Sequence, residues 1–243
     1  MERFKNKLAI VVGATTIFGV AIVGELVNNG LKVLGLDTNI ELLEKLALEL
    51  EHSNGTFQYF IADLNKENEI INMINWIQEN IGAIHILIYN SSTPTQTNLT
   101  QGQTEDWRTI FDRNVISLNT LTSRILKNMM ENDVHGHIIN ISAVLENKGS
   151  RNINNIVNEI INTLTGSFRD ELKNSGLKIK ITVIFKLSVR FVADVNDPMV
   201  TQRNTELMPT LKCKDIVNAI IFILSMSSRV QVNNFLHTTN FYN

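Results

Sequence analysis

A single cysteine, Cys213, stands in 243 residues, so no internal disulfide framework exists and a reducing compartment is the expectation. Nothing in the sequence pairs that thiol with a base, so it is not expected to be a functional nucleophile. Prolines are almost as scarce, and two of the three, Pro198 and Pro209, fall within one irregular stretch, 186–211. A loop of that length inside a compact domain usually carries function or moves. Net charge is also nearly absent, at −2, which gives no electrostatic reason to expect nucleic acid or an anionic membrane as partner. No uninterrupted apolar run is long enough to span a bilayer. The opening "MERFKNK" followed by "LAIVVGATTIFGVAIVG" superficially resembles a secretion signal. Gly13, Thr15, Thr16 and Gly19 interrupt it, and a buried strand, a turn and a helix explain it better. The expectation is therefore a cytoplasmic protein, in which the sequon Asn98-Leu99-Thr100 carries no meaning. His135 and His137 flank a strand start with no partner ligands and read as turn residues, so no metal site is expected.

What is present is regular. Apolar runs of strand length recur at 8–12, 32–36, 56–62, 84–89, 137–141, 178–185 and 231–237. Between them lie segments with a period near 3.6, clearest at 40–50, 67–81, 107–131, 152–174 and 214–226. Near-continuous apolar strands alternating with helices predict a mostly parallel sheet covered on both faces. With no repeat, linker or composition break, residues 1–243 read as one doubly wound α/β domain. Trp76 and Trp107 fall where helices pack.

The first strand runs into "VVGATTIFGVAIVGELV", a glycine-bearing turn that opens a helix. Such a turn presents backbone N–H groups and the helix dipole to a pyrophosphate. Gly13 and Gly19 have the outer spacing of G-x-x-x-G-x-G, but the middle position is Ile17. A β-branched side chain there is expected to occupy space the phosphates need. Asp37, Asp63 and Asn90 end the second, third and fourth strands, at the edge where doubly wound sheets bind ligands. A carboxylate at Asp37 suits a ribose 2′-hydroxyl, which favours NAD over NADP. The expected cofactor-binding set is Gly13, Thr15, Ile17, Phe18, Gly19, Asp37, Asp63, Leu64 and Asn90.

"MERFKNKLAIVVGA", "LKVLGL", "DWRTIFDRNV", "GHIINIS" and "KCKDIVNAIIFILS", in that order, resemble the short-chain dehydrogenase/reductase family over nearly the whole chain. The resemblance is nearest its farnesol dehydrogenase-like branch, with the cytosolic carbonyl and ketosteroid reductases. It implies seven strands, a nicotinamide nucleotide at the carboxyl edge, often a dimer or tetramer, and a substrate lid before Lys214. It also implies a catalytic Asn, Ser and Tyr-x-x-x-Lys, of which Asn114 in "FDRNV" and Ser142 in "IINIS" match the first two. Aligning the next helix on "SFRDEL" puts Tyr at Asn154 and Lys at Asn158; counting from Ser142 gives Asn155 and Glu159. Neither register recovers the pair, because no tyrosine or lysine lies between Lys148 and Lys173. Tyr89 as a substitute phenol would have to reach across the cofactor site. The family's Pro-Gly after the sixth strand reads Lys186-Leu187, and Ala-Gly after the fourth reads Ser91-Ser92. Changes thus gather on the site while the core pattern stays legible. The leading expectation is an impaired enzyme kept as a binding or oligomerisation module. The alternatives are an oxidoreductase that takes its proton from water or an unusual residue, and a carrier of an apolar, isoprenoid- or steroid-like molecule. For the carrier, Phe191, Val192, Met199 and Met208 would line the pocket.

Overall fold

Residues 1–90, 100–144, 153–187 and 212–237 are described by the computed structural model. Its strands are β1 (Leu8–Val12), β2 (Lys32–Asp37), β3 (Thr56–Ile61), β4 (Ile84–Asn90), β5 (His137–Val144), β6 (Lys180–Leu187) and β7 (Asn234–His237). They form one sheet in the order β3-β2-β1-β4-β5-β6-β7, and every pairing is parallel. The expected seven-stranded sheet is present, parallel throughout the described residues. The helices are α1 (Ile17–Asn28), α2 (Ile40–Glu49), α3 (Glu67–Asn80), α4 (Thr104–Phe111), α5 (Ser117–Glu131), α6 (Ile153–Asn174) and α7 (Cys213–Ser225).

β1 shows why its residues read as an unbroken apolar run, since all five are buried. Leu8, Ile10 and Val12 join a core on the face covered by α3, α5 and α6, whereas Ala9 and Val11 join a core shared with α1, α2 and α7. A strand with helices on both faces has no polar side to display, so two-residue alternation vanishes. Strand order reverses between β1 and β4, which opens a crevice beyond their carboxyl ends.

Three local expectations change. The periodic segment 107–131 is not one helix, because α4 passes through a π turn at Asp112–Ile116 before α5 begins. Trp107, Phe111, Val115, Leu118, Leu121 and Ile125 keep steps of three and four residues through the π turn, so periodicity alone does not reveal it. The last two strands begin later than their apolar runs. The Gln231 side chain donates to the Ile181 and Val232 carbonyls, both at 2.8 Å, ahead of β7. His137 is not a turn residue: it is the first residue of β5 and is buried, while His135 is exposed. Trp76 packs against Phe60 at 5.6 Å between ring centroids, and Trp107 stacks on Phe111 at 6.3 Å. No helix among the described residues is long and apolar enough to cross a membrane.

Candidate functional site

The crevice is organised by Thr16. Its backbone is extended where α1 begins, and its hydroxyl oxygen accepts from Gly19 N at 3.0 Å, capping the helix. The same hydroxyl donates to Gly13 O at 2.8 Å and accepts from Asn90 Nδ2 at 2.7 Å. One donor and two acceptor sites are thus all used. The turn, the helix and the end of β4 are locked together through one oxygen.

Both outer glycines are sterically required. Gly13 has φ +70°, and a Cβ there would lie 2.5 Å from Asn90 O. At Gly19 a Cβ would lie 1.9 Å from Gly13 O, so only a bare backbone lets the helix approach the turn this closely. Ile17 occupies the first helical position with 58% of its surface exposed. Phe18 turns its side chain into the α1 core, so only its backbone can serve a ligand.

Asp37 closes β2 and is held from three directions. Its Oδ2 accepts from Thr15 N at 3.0 Å and Thr15 Oγ1 at 2.7 Å, and its Oδ1 from Thr38 N at 2.8 Å. A carboxylate offers about four acceptor sites, which leaves one for a ligand hydroxyl. Asp63 accepts from Asn65 N at 3.0 Å and Asn65 Nδ2 at 2.8 Å, and donates its own N–H to Glu69 Oε2 at 2.7 Å. Lys66 pairs with Glu69 at 2.9 Å, and this pairing raises the lysine pKa. The Glu69 carboxyl is held below its ordinary range, first by the Asp63 N–H and then by Lys66.

These groups surround a cleft of ≈ 310 Å³, in the lower part of the range for small-molecule sites (roughly 300–1,000 Å³). Gly13, Asp37, Asp63, Leu64, Tyr89 and Asn90 line it, and so do Thr16, Asn65, Arg113 and Ser117. The last four, like Tyr89, fell outside the expected cofactor-binding set. A Thr three residues ahead of a glycine at a helix start was a readable capping signal for Thr16. Nothing comparable marked the other three. Asn90 Oδ1 is buried with no donor among the described residues. A positive-φ glycine beside a helix amino terminus, two carboxylates and this orphan acceptor fit the adenosine and pyrophosphate half of a dinucleotide.

The other half differs. Asn114 lies in the π turn, which packs against α6, and its Nδ2 donates to Ile110 O at 2.9 Å. Ser142 on β5 donates its hydroxyl to Asn158 Oδ1 on α6. Asn158 therefore faces the serine, while Glu159 is exposed on the same helix. The side chains of Asn154 and Asn155 lie outside the described residues, as do Ser91-Ser92, the side chains of Lys186-Leu187 and the stretch 188–211 with its apolar candidates. Tyr89 is buried, and its hydroxyl donates to Arg113 O at 3.2 Å at the edge of the cleft.

The model of the short chain dehydrogenase family matches residues 7–197. Dehydrogenase/reductase SDR family member 11 of Gallus gallus is 30% identical, with 96% of each chain covered. Farnesol dehydrogenase of Aedes aegypti is 28% identical, again with 96% of each covered. Among solved structures, a metagenomic short-chain oxidoreductase in complex with NADP superimposes with a TM-score of 0.80 at 17% identity, covering 98% of this chain and 99% of that one. NAD+-bound xylitol dehydrogenase gives 0.81 at 18% identity, covering 96% and 98%. At those identities the structures attest the fold alone.

Proposed function

The chain belongs to the short-chain dehydrogenase family, and from that premise we propose that it binds a nicotinamide dinucleotide with its oxidoreductase chemistry impaired. In this reading it serves as a binding or oligomerisation module, as a dimer or tetramer in the cytoplasm. The observation that carries the proposal is the pairing of Ser142 with the Asn158 amide, in a segment lacking tyrosine and lysine. A bound nicotinamide would supply or accept hydride. The chain would have to hold a proton at the carbonyl oxygen, and an amide is no acid near neutral pH. Gly13, the α1 amino terminus, Asp37, Asp63 and Asn90 would hold the nucleotide. Any residual substrate would be an apolar alcohol or ketone, a reading that the similarity to a farnesol dehydrogenase supports.

Cofactor choice tests the binding half. Asp37 carries a fixed negative charge at the ribose position, and two unit charges 4 Å apart repel by about 1 kcal/mol in bulk water and about 4 near a protein surface. Calorimetric titration is expected to show NADH binding at least about tenfold more tightly than NADPH. Asp37→Ala should narrow that gap. Tighter NADPH binding by the wild type would mean that Asp37 does not meet the ribose. Binding of neither nucleotide would remove the adenosine site and leave a fold without a ligand.

Ile17 is proposed as the main steric obstacle to the pyrophosphate. The Ile17→Gly variant is expected to melt at a lower temperature without ligand, because glycine costs roughly 0.5–1 kcal/mol in a helix. It should nevertheless bind NADH about threefold or more tightly. Unchanged affinity would rule out the isoleucine as the obstacle.

A further inference from the structure

Arg113 is a cleft-lining residue that the nucleotide reading leaves without a task. It is the second residue of the π turn Asp112–Ile116, and its side chain is exposed. The backbone on both sides is pinned. Tyr89 Oη donates to the Arg113 carbonyl at 3.2 Å, and Ser117 Oγ donates to the Asp112 carbonyl at 2.6 Å. The guanidinium itself makes no ion pair among the described residues.

The two cleft carboxylates are already engaged by other donors. Asp37 accepts from Thr15 and Thr38; Asp63 accepts from Asn65 and has Lys66 Nζ 4.0 Å away. Arg113 is therefore not needed to neutralise either of them. Among the described lining residues it is the lone cation against two carboxylates, and the Asp37 end of the cleft disfavours a further phosphate on the ribose. The apolar part of the lining comes from Val12, Leu36, Ala62 and Leu64, beside polar groups such as Thr38, Asn65 and Ser117. A flat, uncharged heterocycle suits such a lining, and an arginine plane stacks on an aromatic face at little desolvation cost.

We propose that Arg113 stacks on the purine base of the bound nucleotide and so strengthens the cleft's hold on the base. This rests on the nucleotide-binding reading above. Arg113 lines the cleft from the π turn, immediately before Asn114.

Isothermal titration of wild type, Arg113→Ala and Arg113→Lys with ADP-ribose and with adenosine 2′,5′-bisphosphate tests the assignment. Arg113 is exposed, so both variants should fold, which their melting curves check. Arg113→Ala should bind ADP-ribose about two- to fivefold more weakly, as expected for a cation–π contact at an exposed site. Arg113→Lys should also stay weakened, because an ammonium keeps the charge but not the plane. Unchanged binding by Arg113→Ala would overturn the proposal. Full affinity in Arg113→Lys, or a larger loss for the bisphosphate than for ADP-ribose, would reassign the residue to phosphate. If wild type bound neither ligand, this proposal and the nucleotide reading would fall together. If it bound ADP-ribose and the variants matched it, only the role of Arg113 would fall.

Discussion

Purified protein given NADH and an isoprenoid aldehyde, or NAD+ and the alcohol, is expected to turn over far below about 1 s⁻¹, the low end of ordinary enzymes. Positioned acid–base catalysis contributes typically about 10²–10⁴-fold. Here the residue that faces Ser142 is an asparagine whose Oδ1 accepts a hydrogen bond from the serine hydroxyl. The hydroxyl is thus directed toward an amide and not toward a substrate oxygen. A lysine one turn from a phenol would lower that phenol's pKa from about 10 through its positive charge. Nothing between residues 149 and 172 supplies a lysine, and Glu159 is exposed and of the opposite sign. Asn154→Tyr/Asn158→Lys is expected to recover less than about tenfold, because Ile17 and Lys186-Leu187 remain. Wild-type turnover near 1 s⁻¹ would sink the impaired-enzyme reading. Family-like rates in the double variant would show that the loss lay in those two positions alone.

The strands and helices were legible because burial on both faces of the sheet leaves an apolar signature that survives changes at the site. β1 is the clearest case, with five buried residues feeding two cores. The glycine turn was legible for a different reason, since Gly13 and Gly19 have no room for a Cβ. What stayed hidden depends on contacts between segments far apart in the chain. Thr16 and Asn90 are 74 residues apart, and Tyr89 reaches Arg113 across 24. Apolar spacing says nothing about such pairs. The π turn hid inside a continuous helical pattern, and with it the reason Arg113 lines the cleft. The two registers on α6 could not be separated by counting. The contact between Ser142 and Asn158 puts position 158 toward the serine and 159 toward solvent.

His137 is expected to make the fold acid-sensitive well above the carboxylate range. Its Nε2 lies 2.9 Å from Thr182 Oγ1, and that hydroxyl donates its proton to Val232 O at 2.7 Å. The ring must therefore donate from Nε2, which leaves Nδ1 a bare, buried nitrogen with no partner among the described residues. Adding a proton at Nδ1 would create a cation without an acceptor in a dry site. Lys180, whose Nζ donates to Ser227 O at 2.6 Å, and Arg3, whose Nη2 donates to Leu224 O at 3.0 Å, add repulsion. Burial first, then Lys180 and Arg3, push the imidazole pKa from 6.5 to about 3. The unfolded chain takes up its proton near pH 6.5 and the folded chain does not. Stability from this group is thus complete above that value and drains away as pH falls toward about 3. The limiting slope is about 1.4 kcal/mol per pH unit, so roughly 2 kcal/mol is lost by pH 5. Urea unfolding at pH 7.5, 6 and 5 should show this decline in the wild type. In His137→Leu, which has no proton to take up, the curve should be flatter, whatever its stability at pH 7.5. Equal slopes in the two proteins would mean that the ring titrates freely in the fold, through a site wetter than the strand packing shows.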